Sequence, residues 1–212
     1  MRLTKLEHAA LVLDQNGDRL YIDPGSFTTA ITESVGTVAV VITHEHADHW
    51  TPEQLKRIRD DNPDVRFFGP AGVVAAATDF PVEPVGDGDE ITVGAFTLRF
   101  FGGKHALIHS SIPVVDNVGV LVNDTLYYAG DSFTVPTGVA VDTLAVPAGG
   151  PWMKIAEAMD YVMAVAPRHA FPTHEMVLSR AGKDLSNARL GWATEQGGGE
   201  YTALEPNESI DL

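Results

Sequence analysis

The run Val38-Ala39-Val40-Val41-Ile42 ends on Thr43-His44-Glu45-His46-Ala47-Asp48-His49, and this junction constrains the chain more than any other segment. A run of β-branched and small apolar residues with no polar face suits a strand buried on both sides, the habit of parallel strands in α/β sheets. Four potential metal ligands then fall within six residues. In extended backbone, positions two apart point the same way, so His44 and His46 can grip one ion together. Asp48 and His49 lie where the chain turns away and can address a second ion beside the first. The chain holds no cysteine, which excludes disulfides, thiolate ligands and a cysteine nucleophile together. Any metal must therefore be held by His, Asp and Glu, a donor set that suits Zn²⁺ best, with Mn²⁺ or Fe²⁺ as alternatives.

The rest of the chain reads as one α/β domain over residues 1–212, since no linker, charge block or low-complexity tract divides it. Leu3 to Leu13 and Arg19 to Ile22 read as two strands around an Asn16-Gly17 hairpin turn. Thr51 as N-cap, Pro52 at the first helical position and Gln54 in the place a capping box needs predict a helix after the cluster. A second helix is expected from Val73 to Ala77, and a hairpin about Gly94 joins Ile91–Val93 to Phe96–Phe101. Short apolar strands follow at Val118–Val122, Leu126–Ala129, Thr143–Val146 and Arg168–Phe171. Between the last two, Trp152, Ile155, Ala156, Met159, Val162 and Met163 fall on one helical face and read as core filling. Gly197-Gly198-Gly199 marks a turn near the C-terminus.

Charge narrows the partners. With 14 Lys and Arg against 29 Asp and Glu, the formal net charge is −15. A field of that sign repels nucleic-acid phosphates and anionic membrane surfaces. No apolar run approaches a membrane span and no signal-peptide pattern is present, so a cytoplasmic protein acting on a small molecule is expected. Self-association into a homo-oligomer is left open.

The His44–His49 segment resembles the mark of the metallo-β-lactamase superfamily, His-x-His-x-Asp-His after a buried strand. Other residues match that pattern in order: Asp23 in Tyr21-Ile22-Asp23-Pro24-Gly25, a histidine after Gly102-Gly103-Lys104, Asp131 after Tyr128-Ala129-Gly130, and His174 in Pro172-Thr173-His174. The resemblance covers about Leu3 to Met176. It implies a four-layer αβ/βα sandwich of two mixed β-sheets flanked by helices. It also implies that His44, His46 and a mid-chain histidine hold one ion, that Asp48, His49 and His174 hold another, and that Asp131 bridges them while Asp23 supports the site from behind. His105 is the first choice for the mid-chain ligand and His109 the second. His8, in the first strand, is either near the site or a satisfied core histidine, and His169 is expected to be structural.

A binuclear hydrolase follows from that resemblance: two metals share a water that is deprotonated near neutral pH and attacks a carbonyl or phosphoryl centre. Asp48 orients the nucleophile, and His109 is the candidate for protonating the leaving group. The compact chain looks most like the small bacterial branch that includes sugar-lactone hydrolases, so a lactone, ester or phosphodiester is the expected substrate. Alternatives are a phosphodiesterase or nuclease-type member of the same fold, a flavodiiron-like oxygen reductase, or a non-catalytic metal-binding module.

Overall fold

The computed structural model describes residues 1–212. The first half builds β1 (Arg2–Lys5), β2 (Leu11–Gln15), β3 (Asp18–Ile22), β4 (Thr37–Val41), α1 (Pro52–Asp61), β5 (Arg66–Gly69), α2 (Ala71–Ala76) and β6 (Val82–Pro84). The second builds β7 (Glu90–Val93), β8 (Phe96–Phe101), β9 (Gly119–Val122), β10 (Leu126–Tyr128), β11 (Thr143–Pro147), α3 (Ile155–Val165), β12 (His169–Thr173), α4 (Arg180–Gln196), β13 (Glu200–Tyr201) and β14 (Ser209–Asp211). These strands form two seven-stranded sheets, in the orders β14-β1-β2-β3-β4-β5-β6 and β13-β12-β11-β10-β9-β8-β7. Each sheet is mixed. In the first, β3 to β6 run parallel and the rest antiparallel; in the second, β10 to β13 run parallel.

The period of two along each strand sorts side chains into layers. Leu20 and Ile22 of β3 and Ala39 and Val41 of β4 face inward, against Phe96, Leu98 and Phe100 of β8 and Val120 and Val122 of β9, in the central core. Tyr21, Val40 and Ile42 face the other way, onto Leu55 and Ile58 of α1 and Val73 of α2. Leu121, Leu144 and Val146 of the second sheet pack on Ala158, Tyr161 and Val162 of α3 and Leu190 and Ala193 of α4. The result is a helix–sheet–sheet–helix sandwich, as the resemblance implied. Because β4 is covered on both faces, its ligands emerge only at its C-terminal end. No helix is long and apolar enough to cross a membrane.

Several sequence expectations need correction. Leu3 to Leu13 is two strands, not one: the chain turns between Lys5 and Leu11, and His8 sits in that turn at φ 61° instead of in a strand. Thr51 does cap α1, its hydroxyl accepting the Gln54 N–H at 3.2 Å, but Gln54 does not reciprocate. Its side chain instead accepts from Ile31 N and donates to Thr28 O and Thr29 O, pinning the segment that follows Asp23. Trp152 precedes α3, and Ala156 and Met163 lie on its exposed side; the inward face is Ala158, Tyr161 and Val162.

Candidate metal centre

Every residue of the expected ligand set except the alternative His109 converges at one edge of the sandwich, just past strand ends. Such positions combine a rigid scaffold with loops free to carry polar groups. Asp23 follows β3, His44 to His49 follow β4, His105 follows β8, Asp131 follows β10 and His174 follows β12. The donor atoms of His44, His46 and His105 lie within 4.8 Å of one another, as do those of Asp48, His49 and His174 together with His8. His44 Nε2 is 3.1 Å from His46 Nδ1, and the rings of both stand 4.9 Å from that of His105. Asp131 lies between the groups: its Oδ2 is 3.4 Å from His105 Nε2 and 3.1 Å from His174 Nε2, and its Oδ1 is 3.2 Å from His49 Nε2.

The backs of the imidazoles are tied down. His49 Nδ1 donates to Asp23 Oδ2 at 2.6 Å, His174 Nδ1 to Gly149 O at 2.6 Å and His105 Nδ1 to Ala106 O at 2.5 Å. His44 Nδ1 donates to Thr43 Oγ1 at 3.1 Å, and that hydroxyl in turn donates to Asp23 Oδ2 at 2.6 Å. Anchoring Nδ1 in this way fixes the tautomer whose Nε2 lone pair points at the centre. Accordingly His49 Nε2, His105 Nε2, His174 Nε2 and Asp131 Oδ1 are buried without a hydrogen-bond partner. Leaving several buried polar atoms unpaired would cost about 1–3 kcal/mol each, so their convergence fits a cation seated among them. The donor set is imidazole and carboxylate alone, suited to a divalent ion.

Electrostatics agree with that fit. Burial favours the neutral acid at Asp131, yet the neighbouring His49 and His174 hold its carboxyl far below the usual carboxylate range. Burial also opposes charge on His49, but Asp131 and Asp23 outweigh it and raise its pKa well above the ordinary value. His174, with burial opposed by Asp131, is pushed up to about 9. His44, fully buried, is driven down by burial and by His49.

The carboxylates of Asp131, Asp23 and Asp48 thus favour positive charge on the histidines that face them.

Local backbone choices make the arrangement. Asp23 and His174 adopt left-handed conformations at φ 49° and 59°, turns that re-aim each side chain as its strand ends. Gly130 sits at φ 63°, and a Cβ there would meet Asn117 Oδ1 at 2.5 Å. That same oxygen accepts the Asp131 N–H at 3.0 Å, while Asn117 Nδ2 donates to Ala129 O, so Asn117 frames the Gly-Asp turn.

His8 stands with the second group: its Nε2 is 3.2 Å from Asp48 Oδ2, its carbonyl accepts the His174 N–H at 2.9 Å, and its ring lies 3.9 Å from that of His174. His109 is exposed on the loop after His105, bonded through Nδ1 to Ser111 Oγ at 2.7 Å, and is outside every cluster of metal-competent donors. His169 is exposed at the start of β12. Sequence reasoning missed Asn117, Trp152 and the pair Lys5–Glu175. Trp152 packs its ring 5.7 Å from His105 and 5.8 Å from His174, an apolar wall shared by both groups. Lys5 Nζ meets Glu175 Oε1 at 2.8 Å, with both side chains buried.

Two seven-stranded sheets between helices, with a His/Asp cluster of metal-competent donors at their shared edge, mark a member of the metallo-β-lactamase superfamily. The sequence model described as Beta-lactamase superfamily domain matches residues 2–174, and the chain belongs to that family. Protein Rv0786c of Mycobacterium tuberculosis is 37% identical over 214 residues, spanning 99% of this chain and 98% of that one. A UPF0173 metal-dependent hydrolase of Aeropyrum pernix is 29% identical over 204 residues, covering 82% of this chain and 81% of its own. Among solved structures, Igni18, a metallo hydrolase from the archaeon Ignicoccus hospitalis, shares the fold with a TM-score of 0.75 at 19% identity, over 99% of this chain and 97% of that one.

Proposed function

We propose that the protein is a binuclear hydrolase, with zinc as the ion its donors suit best, that cleaves a lactone, ester or phosphodiester of a small molecule. The observation that carries the reading is the place of Asp131, whose Oδ2 lies 3.4 Å from His105 Nε2 and 3.1 Å from His174 Nε2 while its Oδ1 lies 3.2 Å from His49 Nε2, so one carboxylate reaches donors of both groups. His44, His46 and His105 would hold one ion, Asp48, His49 and His174 the other, with Asp131 common to both. When bound, the ions supply Lewis acidity and bring the pKa of water down towards neutrality.

The chain's own residues do the remainder. Thr43, Asp23, Ala106 and Gly149 hold the imidazoles in the ligating tautomer. Trp152 walls off one side of the centre from solvent, which strengthens every charge interaction inside. Asp48, about a quarter exposed, is the carboxylate that can both ligate and orient the attacking water. His109, exposed on its loop and outside the metal-competent clusters, is our candidate for protonating the leaving group and has no place in the metal shell. The net charge of −15 disfavours polyanionic nucleic acid as the substrate.

The test is metal content together with turnover of an ester, lactone and phosphodiester panel. His46→Ala should weaken one ion and Asp131→Ala both, with turnover lost in each. A metal-free variant with full activity would overturn the proposal.

A further inference from the structure

Resting on that hydrolase reading, we infer that the substrate is an uncharged ester or lactone carrying an apolar acyl or alkyl group, bound by a collar of apolar loops around the metal centre. Twelve large hydrophobic side chains are exposed on this protein, and half of them lie on three loops that also carry residues of the site: Phe27, Leu107, Ile112, Val114, Met176 and Val177, each between 43% and 59% exposed. Scattered exposed hydrophobics are ordinary; a concentration at the mouth of a polar centre marks a binding surface.

Each loop is pinned to the centre. Phe27 lies edge-on to the His8 ring at 4.9 Å, and its neighbour Ser26 donates its N–H to Ala47 O, inside the ligand loop. The loop bearing Leu107, Ile112 and Val114 leaves and returns beside His105: His105 N–H donates to Val115 O, and Ala106 N–H to Asp131 O. Met176 and Val177 occupy the turn directly after His174, closed by the Leu178 N–H on Glu175 O.

Charge separates the candidate substrates. Residues 24–28 and 106–115 contain no Lys, Arg, Asp or Glu, and residues 175–178 contain only Glu175, which is buried on Lys5. The nearby Lys104 is engaged by Asp116 at 2.7 Å. Within these loops no Lys or Arg stands to meet the charge of a phosphodiester, and their polar side chains are limited to Ser26, Thr28, His109, Ser110, Ser111 and the paired Glu175. Hydrolysis of the inferred substrate balances simply: water adds across the acyl C–O bond, giving a carboxylate, an alcohol and one proton.

The experiment uses metal-loaded protein and straight-chain p-nitrophenyl esters from acetate to octanoate, with bis(p-nitrophenyl) phosphate as comparator. Alongside, calorimetric titration follows binding of the matching carboxylates, which reports the collar independently of turnover. We expect kcat/KM to rise about two- to fourfold per added methylene, the gain apolar burial supplies. The carboxylates should tighten in step, and the phosphodiester should be at least about tenfold slower than octanoate. The double variant Leu107→Ser, Ile112→Ser should flatten both series. A flat or falling dependence in both series, or a phosphodiester faster than every ester, overturns the inference while leaving a hydrolase. Chain-length-dependent carboxylate binding with no turnover of anything upholds the apolar collar and overturns the hydrolase reading instead.

Discussion

Replacing Lys5 with Met removes the cation from an ion pair that has no water to replace it. The two side chains are 0% and 4% exposed, and Nζ lies 2.8 Å from Glu175 Oε1. Burial depresses the Lys5 pKa, and the Glu175 carboxylate is the largest influence opposing that shift. Glu175 Oε1 also accepts the His8 N–H at 3.4 Å, while its Oε2 is buried with no partner. Without Lys5 the carboxylate is left nearly alone in an apolar setting, and breaking a buried pair from one side costs about 3–5 kcal/mol. Replacing both partners, Lys5→Met with Glu175→Leu, should cost much less, on the order of 1–2 kcal/mol, because no uncompensated charge remains. Urea unfolding of metal-free protein reads this directly, provided the slope with denaturant is unchanged between variants. A loss below about 1 kcal/mol for Lys5→Met, or a double variant as unstable as the sum of the singles, would refute the reasoning. Glu175 follows His174 and touches His8, so the single variant should also weaken one ion about tenfold, as disturbed outer contacts of metal ligands do.

Other substitutions probe the centre from different directions. In Gly25→Ala the new Cβ would lie 1.8 Å from Asp48 O, a backbone atom that cannot step aside without moving the Asp48–His49 turn. Competition titration should then show one ion weakened by about 10–100-fold and the other little changed; equal affinities for both ions in wild type and variant would contradict this. Asp23→Asn places an amide where Thr43 N, Thr43 Oγ1 and His49 Nδ1 all donate, and should cost about 10–100-fold in metal affinity. Chelator competition at fixed pH measures that loss. Metal binding should also release protons at pH 7.5. His174, raised to about 9, and His49, raised well above its ordinary value, hold protons in the metal-free protein that an ion must displace. The sign is therefore an apparent affinity that climbs with pH up to about 9, by about tenfold per unit for each proton. Calorimetry in buffers of different ionisation enthalpy counts the protons, and zero release would sink the assignment.

What the sequence made legible was whatever local chemistry dictates. The unbroken apolar run of β4 requires cover on both faces, and ligands at its end follow from that. Asp131 and His174 could be placed because each matches the superfamily pattern in order, after a short apolar strand. Long-range pairings were not legible: Lys5 and Glu175 are 170 positions apart, and nothing near either announces the other. The turn holding His8 went unseen because Leu6 to Ala10 contains no Gly or Pro to break the apparent strand. Helix α4 escaped because its inward face is Ser186, Leu190, Ala193 and Thr194, too small and polar to print an apolar stripe, with Gly182 and Gly191 weakening it further. Gln54 shows the same limit at one residue: its spacing fits a capping box, but the Thr28–Ile31 backbone competes for its amide and wins.

The central claim is that His44, His46, His105, Asp48, His49, His174 and Asp131 form a metal centre on which hydrolysis depends. It is tested most directly by stripping the protein of metal and titrating Zn²⁺ back while following heat and ester hydrolysis in the same samples. Two equivalents should bind, the stripped protein should show no turnover, and activity should return with metal. Undiminished hydrolysis by protein shown to be metal-free, or binding of no zinc at all, would contradict it.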